Sequence, residues 1–174
     1  MRKSQIPVMP SYYDNYIGNL QDVDLMQALK MGASLVDNQD MSRLYALKDQ
    51  VYAPGKWTVK DIVQHLVDTE RIMSYRALRF ARRDETPLSG FEENDYANNA
   101  NTSGIELESL VAEFEMLRQS TIAMFNNFDD ETLLQTGSCN NIQTSVVALG
   151  FVIAGHQMHH INVLRSRYFP LLEV

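Results

Sequence analysis

Apolar residues in this chain recur in steps of three and four, the period of helices that bury one face. Four such regions stand out. The first runs from about Asp22 to Gln50 with Leu25, Leu29 and Val36 on one stripe, and the polar run DNQD at 37–40 is expected to divide it. The second, 58 to about 83, repeats Ile62, Leu66, Thr69, Met73, Ala77 and Phe80. Its start carries Thr58 as N-cap, Asp61 as capping-box partner, and Trp57 with Ile62 as hydrophobic staple. The third opens at Ser103, with Glu106 as a second capping box, and follows Leu107, Leu110, Phe114, Leu117, Thr121, Met124 and Phe128. The fourth spans about Thr144 to Tyr168, and Pro170 prevents much extension. No segment alternates with period two over a length that would need a sheet. The expected fold is therefore all-α, a four-helix bundle with a long connection between its second and third helices. That connection, DETPLSGFEENDYANNANT, exceeds a simple antiparallel turn and implies a lid, a binding loop or a crossover.

Composition narrows the picture. With 174 residues, 45% hydrophobic and 21% charged, residues 1–174 suit one globular domain with a real core rather than a disordered chain. A net charge of -7 disfavours contact with a phosphate backbone. The local basic group Arg76, Arg79, Arg82 and Arg83 reads as the solvated face and last turn of the second helix. Nucleic acid is not an expected partner. The most membrane-like stretch, VVALGFVIAG from Val146, stops after ten residues, far short of the roughly 20 needed to span a bilayer. The opening MRKSQIPVMPSYYDNY contains no apolar run of the kind a secretory signal needs. A single cysteine, Cys139, has no internal disulfide partner and reads as an incidental loop residue. A cytoplasmic location follows as the expectation.

The chemistry lies in the histidines. Three of the four fall in GHQMHH at 155–160. The inward stripe of the fourth helix runs Leu149, Ile153, His156, His160 and Leu164, so two imidazoles share one face, about 40° and 6 Å apart. His159 is rotated about 100° from His160, off that face, with a supporting hydrogen bond as its open role. His65 lies beside the apolar stripe of the second helix. If the second and fourth helices run the same way, its depth is comparable with that of the pair. Packed core histidines are an ordinary alternative for such a pair. Burying neighbouring imidazoles in an apolar face costs desolvation that a bound cation would offset, and three nitrogen ligands would leave a coordination position open. Asp68, three residues after His65, is a solvated or supporting carboxylate. Glu92, Glu93 and Asp95 could close over the site, and Phe91 and Tyr96 could line it.

WTVKDIVQHLVDTE together with the later GHQMHH resembles the DinB-like family of bacterial helical-bundle metalloproteins, over well more than half the chain. The resemblance implies a four-helix bundle holding a divalent ion, with Zn, Ni, Fe and Mn not distinguishable, on His65, His156 and His160. Some members of that family are similar to metal-dependent transferases joining a low-molecular-weight thiol, such as bacillithiol or mycothiol, to an electrophile; others are regarded as hydrolases. The expectation is a metal-dependent enzyme that activates a thiol or a water for a small-molecule substrate, with a homodimer as a family-like assembly. The alternative is a non-catalytic metal- or ligand-binding bundle serving as sensor or scaffold. No residue in the sequence identifies itself as the general base.

Overall fold

A computed structural model of the chain describes residues 1–173. In order the elements are α1 (Asp14–Ile17), α2 (Leu25–Met31), α3 (Asn38–Leu47), α4 (Val59–Ala81), α5 (Glu93–Asn99), α6 (Leu107–Asn126), α7 (Asp130–Leu133), β1 (Thr136–Cys139), β2 (Ile142–Ser145) and α8 (Val146–Val163). The bundle is formed by α2 with α3, α4, α6 and α8. Helix α4 starts as its sequence dictates: the Thr58 hydroxyl accepts from the Asp61 amide at 3.2 Å and the Asp61 carboxylate accepts from the Thr58 amide at 2.9 Å, so two amides of the open first turn are satisfied. Its six stripe residues are all buried.

Two apolar clusters fix the direction of each helix. Met73, Ala77 and Phe80 of α4 share one cluster with Phe125 of α6, Leu25 and Leu29 of α2, and Val146 to Ala154 of α8. Val59 to Val67, Leu107 to Phe114, Leu44, Leu47, Leu164 and Tyr168 form the other. Helices α4 and α6 therefore run parallel, and α8 runs antiparallel to both. The same-direction assumption for the second and fourth helices is thus overturned. Parallel neighbours require the intervening chain to return along the whole bundle. It leaves the first cluster beside the hairpin, where the Leu88 amide donates to Ser138 O at 2.9 Å, and arrives at the second, where the Thr102 hydroxyl bonds Asp61. The long connection is a crossover, and it carries α5 on its way.

Several element boundaries differ from expectation for local reasons. DNQD starts a helix rather than breaking one: Asp37 caps α3, accepting from the Asp40 amide at 2.9 Å, and the break lies upstream at 32–37. Ser103 makes no capping box, because 102–104 forms a separate 3-10 turn and Glu106 precedes α6 without a side-chain cap. Helix α8 begins at Val146, two residues after the expected start, with Ser145 as its cap, and continues as a π-helical turn over Leu164–Tyr168. The residues just before α8 form a hairpin that pairs Thr136 with Ser145 and Cys139 with Ile142. Its turn, Asn140 and Asn141, has φ of 52° and 60°, the left-handed pair that a tight two-residue hairpin needs. Four-residue strands are too short to show an alternation, which is why none was expected.

On α6 the expected stripe is buried at Leu107, Leu110, Phe114 and Thr121, but Leu117 and Met124 are only half-buried and the neighbouring Arg118 and Phe125 are buried in their place. Among the described residues no helix is long and apolar enough to cross a membrane.

Helix α1 lies close against α8 because Gly155 has no side chain. A Cβ there would fall on the backbone carbonyl of Tyr16 and sit 3.2 Å from the Ile17 amide. Gly155→Ala is expected to push α1 off α8 and to cost about 1–3 kcal/mol, measured as a lowered urea midpoint. An unchanged midpoint would show that the contact is slack.

Candidate metal centre

His65 comes from α4, and His156 and His160 come from successive turns of α8. Antiparallel packing brings the early part of α4 level with the late part of α8, so the three rings meet although His65 and His156 are 91 residues apart. The Nε2 atoms of His65 and His156 are 3.0 Å apart, and those of His160 and His156 are 3.2 Å apart. One potential ligand atom from each ring lies within 4.8 Å of the others. The rings are held by packing: Trp57 lies 4.8 Å from His65, centroid to centroid, and Tyr16 meets the edge of His156 at 5.0 Å. The staple residue of α4 is thus also a wall of the site.

All three rings are buried, and burial is the main cause of lowered basicity in each. His65 falls to about 4 and His160 to about 3, each lowered further by neighbouring histidines; His156 is pushed well below its usual range. At neutral pH the cluster is therefore uncharged. A neutral imidazole carries one proton on one of its two nitrogens. A single proton shared with His156 Nε2 can satisfy one of its two close neighbours but not both.

A divalent ion fits this donor set. Metal–imidazole bonds of about 2.0–2.1 Å in a tetrahedron place the nitrogens roughly 3.3–3.4 Å apart, within a few tenths of an ångström of the two separations to His156, and the third pair lies within 4.8 Å.

The metal-free protein should be acid-sensitive because of this burial. Folded-state values below the ordinary 6.5 mean that the unfolded chain binds protons that the native state does not, so stability is lost as pH falls from 6.5 towards 4. For His65 alone, moving from 6.5 to about 4 corresponds to roughly 3 kcal/mol. Urea denaturation of chelator-treated protein should show its midpoint dropping across this range. A midpoint flat from pH 7 to 4.5 would contradict burial of neutral rings.

A cavity of about 260 Å³ opens beside His65 and His156. The tyrosines of the N-terminal segment, Thr69, Met73 and Arg76 of α4, and the crossover residues Phe91, Glu92 and Glu93 line it. The Thr69 hydroxyl is buried without a hydrogen-bond partner. A second cavity of about 250 Å³ borders His160 and His159 on the other side. His159 packs 5.5 Å from Tyr16 and 5.1 Å from His160, and stays outside the three-ring cluster. A larger cavity, about 530 Å³, borders Gln157 but none of the three rings.

The remaining expectations divide. Glu92 and Glu93 reach the histidine cavity, whereas Asp95 and Tyr96 face a separate surface hollow with Asp68. Asp68 accepts from Gln64 Nε2 at 2.9 Å, and burial raises its carboxyl. Cys139 is fully buried at the end of β1, with its thiol pushed up by burial, which makes it a core residue of the hairpin rather than an incidental loop residue. Arg76 does not belong to the solvated basic face with Arg82 and Arg83: it is 3% exposed. Tyr13, Tyr16 and Arg76 were not expected at the site. Steps of four and seven from His65 through Thr69 to Arg76 put all three on one face of α4, the signal that could have found the last.

Residues 38–164 match the DinB superfamily. A protein of Oceanobacillus iheyensis named "Putative metal-dependent hydrolase OB0413" is 25% identical over 114 residues, 64% of this chain. The match spans 65% of that relative's length, a little under two thirds. Among solved structures, YfiT from Bacillus subtilis, described as "a probable metal-dependent hydrolase with an unusual four-helix bundle topology", aligns with a TM-score of 0.58. At 23% identity, over 89% of this chain and 86% of YfiT, this is a likeness of fold.

Proposed function

We propose that this chain, which belongs to the DinB superfamily, is a metal-dependent hydrolase of a small-molecule substrate, with one divalent cation held by His65, His156 and His160. The observation that carries this reading is the convergence of three buried, neutral imidazoles beside a cavity. Three protein nitrogens are the ligand number of catalytic rather than closed structural zinc sites. When bound, the ion would supply a Lewis acid that lowers the pKa of a water, or of a low-molecular-weight thiol, into the neutral range.

The chain's own residues supply the rest. Trp57 and Tyr16 hold the rings in place and exclude water from two sides. Glu92 and Glu93 are the carboxylates bordering the same cavity, so a proton released there has an acceptor at hand. Glu93, the less exposed of the two, is the better placed. With a thiol in place of water, the same arrangement would serve group transfer to an electrophile. Imidazole suits Zn, Ni and Fe alike, and the names of the relatives favour hydrolysis.

The test uses protein purified without a histidine tag and loaded in turn with Zn, Ni, Fe(II) and Mn. It is assayed against a panel of esters and amides, and against small thiols with an electrophile. Turnover with at least one metal is expected, reduced at least 100-fold in His160→Ala and lowered in kcat by Glu93→Gln. Stoichiometric metal with no turnover across both panels would overturn the enzyme reading in favour of a binding bundle.

A further inference from the structure

Every deeply buried arginine in this fold needs its charge accounted for, because an unpaired buried cation is costly. Arg118, fully buried, is matched by Glu70 at 2.8 Å. Arg76 is nearly as buried, at 3% exposure, yet among the described residues no carboxylate lies within 4.0 Å of it. Its contacts are neutral: Nη1 donates to Tyr13 Oη at 3.2 Å and lies 3.6 Å from Met73 Sδ, and Nη2 donates to Ser89 O at 2.8 Å. Its Cζ also lies 5.9 Å over the Phe91 ring, a weak cation–π contact. These contacts orient the guanidinium without supplying an anion, and the hydrogen bonds use three of the five N–H groups an arginine carries.

The side chain is also not walled off. Arg76 lines the same cavity as His65 and His156. It stands eleven residues along α4 from His65, about 16 Å between their Cα atoms, so about three helical turns of cavity wall separate it from the His65 position. Glu92 and Glu93 line the cavity too, without pairing with Arg76.

We infer that Arg76 is a substrate-binding residue and that the substrate of this site carries an oxyanion, a carboxylate or phosphate, remote from the bond that reacts. The fixed planar fork of a guanidinium suits either group, with charge-assisted bonds from the unused N–H groups. The cavity, at about 260 Å³, is below the about 300–1,000 Å³ typical of sites for drug-sized ligands, so the molecule is small. The inference rests on the proposed role of this cavity as the substrate site, but anion binding at Arg76 does not require the metal.

The experiment therefore uses the full chain free of metal. The arginine Nε–Hε resonances of ¹⁵N-labelled protein are followed during titration with succinate, with inorganic phosphate and with neutral succinamide, and the Arg76 signal is assigned from Arg76→Lys. A saturable movement of that signal with succinate or phosphate, at least tenfold weaker with succinamide, is expected; which anion produces it identifies the group. Thermal stabilisation by the same anion should disappear in Arg76→Gln. The proposal is overturned if the Arg76 signal does not move, or moves equally with succinamide. Because this readout is independent of metal, a protein that binds the anion but no cation would sink the metal centre and leave Arg76 standing. The reverse result would do the opposite.

Discussion

Arg118→Ala is expected to lower stability by about 3–5 kcal/mol, the usual consequence of removing one member of a buried ion pair. Arg118 Nε and Nη2 grip the Glu70 carboxylate at 2.9 and 2.8 Å, while Nη1 donates to Gly32 O at 2.8 Å and to Gln157 Oε1 at 2.6 Å. Gln157 Nε2 passes the network on to Ser34 O and Leu35 O, both at 3.0 Å. This layer joins α4, α6, α8 and the break between α2 and α3. Truncating Arg118 leaves the Glu70 charge at 3% exposure with nothing opposite it. For a domain of this size each kcal/mol moves Tm by about 2–4 °C, so a drop of roughly 6–20 °C should appear in thermal denaturation. The double variant Glu70→Leu, Arg118→Met should recover the part of that loss due to the stranded Glu70 charge, but not the part due to Gly32 O and Gln157 Oε1, which lose their donor. A drop below about 1 kcal/mol in Arg118→Ala, the range of exposed pairs, would mean that water reaches the layer.

The second large effect concerns the cation. Binding to the folded state alone stabilises by about 4.1 kcal/mol when free metal exceeds Kd 1,000-fold, or roughly 8–16 °C in Tm for a chain of this length. Saturating Zn or Ni is expected to give such an upward shift in tag-free protein, and His156→Ala, at the centre of the cluster, should abolish it. The pH dependence distinguishes this site from surface histidines. Only neutral rings bind metal, and burial holds His65 at about 4 and His160 at about 3. The metal-induced shift should therefore persist as pH falls from 7 to 5 and collapse only nearer 4. A shift that vanishes around pH 6.5 would point to exposed rings elsewhere.

The bundle and its cluster were largely legible because they rest on local periodicity. Thr58, Asp61 and the stripe from Ile62 to Phe80 define α4 without tertiary help, and His156 and His160 continue an apolar stripe whose inward direction is unambiguous. What was hidden depends on charge in the interior and on chain direction. Arg118 lies on the buried face of α6, but an arginine in sequence reads as surface, so Leu117 took its place in the expected stripe. Arg76 was grouped with its exposed neighbours for the same reason. The parallel course of α4 and α6 follows from a crossover whose length was visible but whose path was set by pairing with a hairpin too short to detect. Tyr16 reaches His156 only because Gly155 lets the N-terminal segment come close, a contact between segments some 140 residues apart.

X-ray absorption at the metal K edge, on tag-free protein loaded with one equivalent of Zn, tests the central claim most directly. Three imidazole nitrogens at about 2.0–2.1 Å, falling to two in His65→Ala, are the predicted result. Fewer than three imidazoles in the unaltered protein, or a spectrum indifferent to loss of His65, would contradict it.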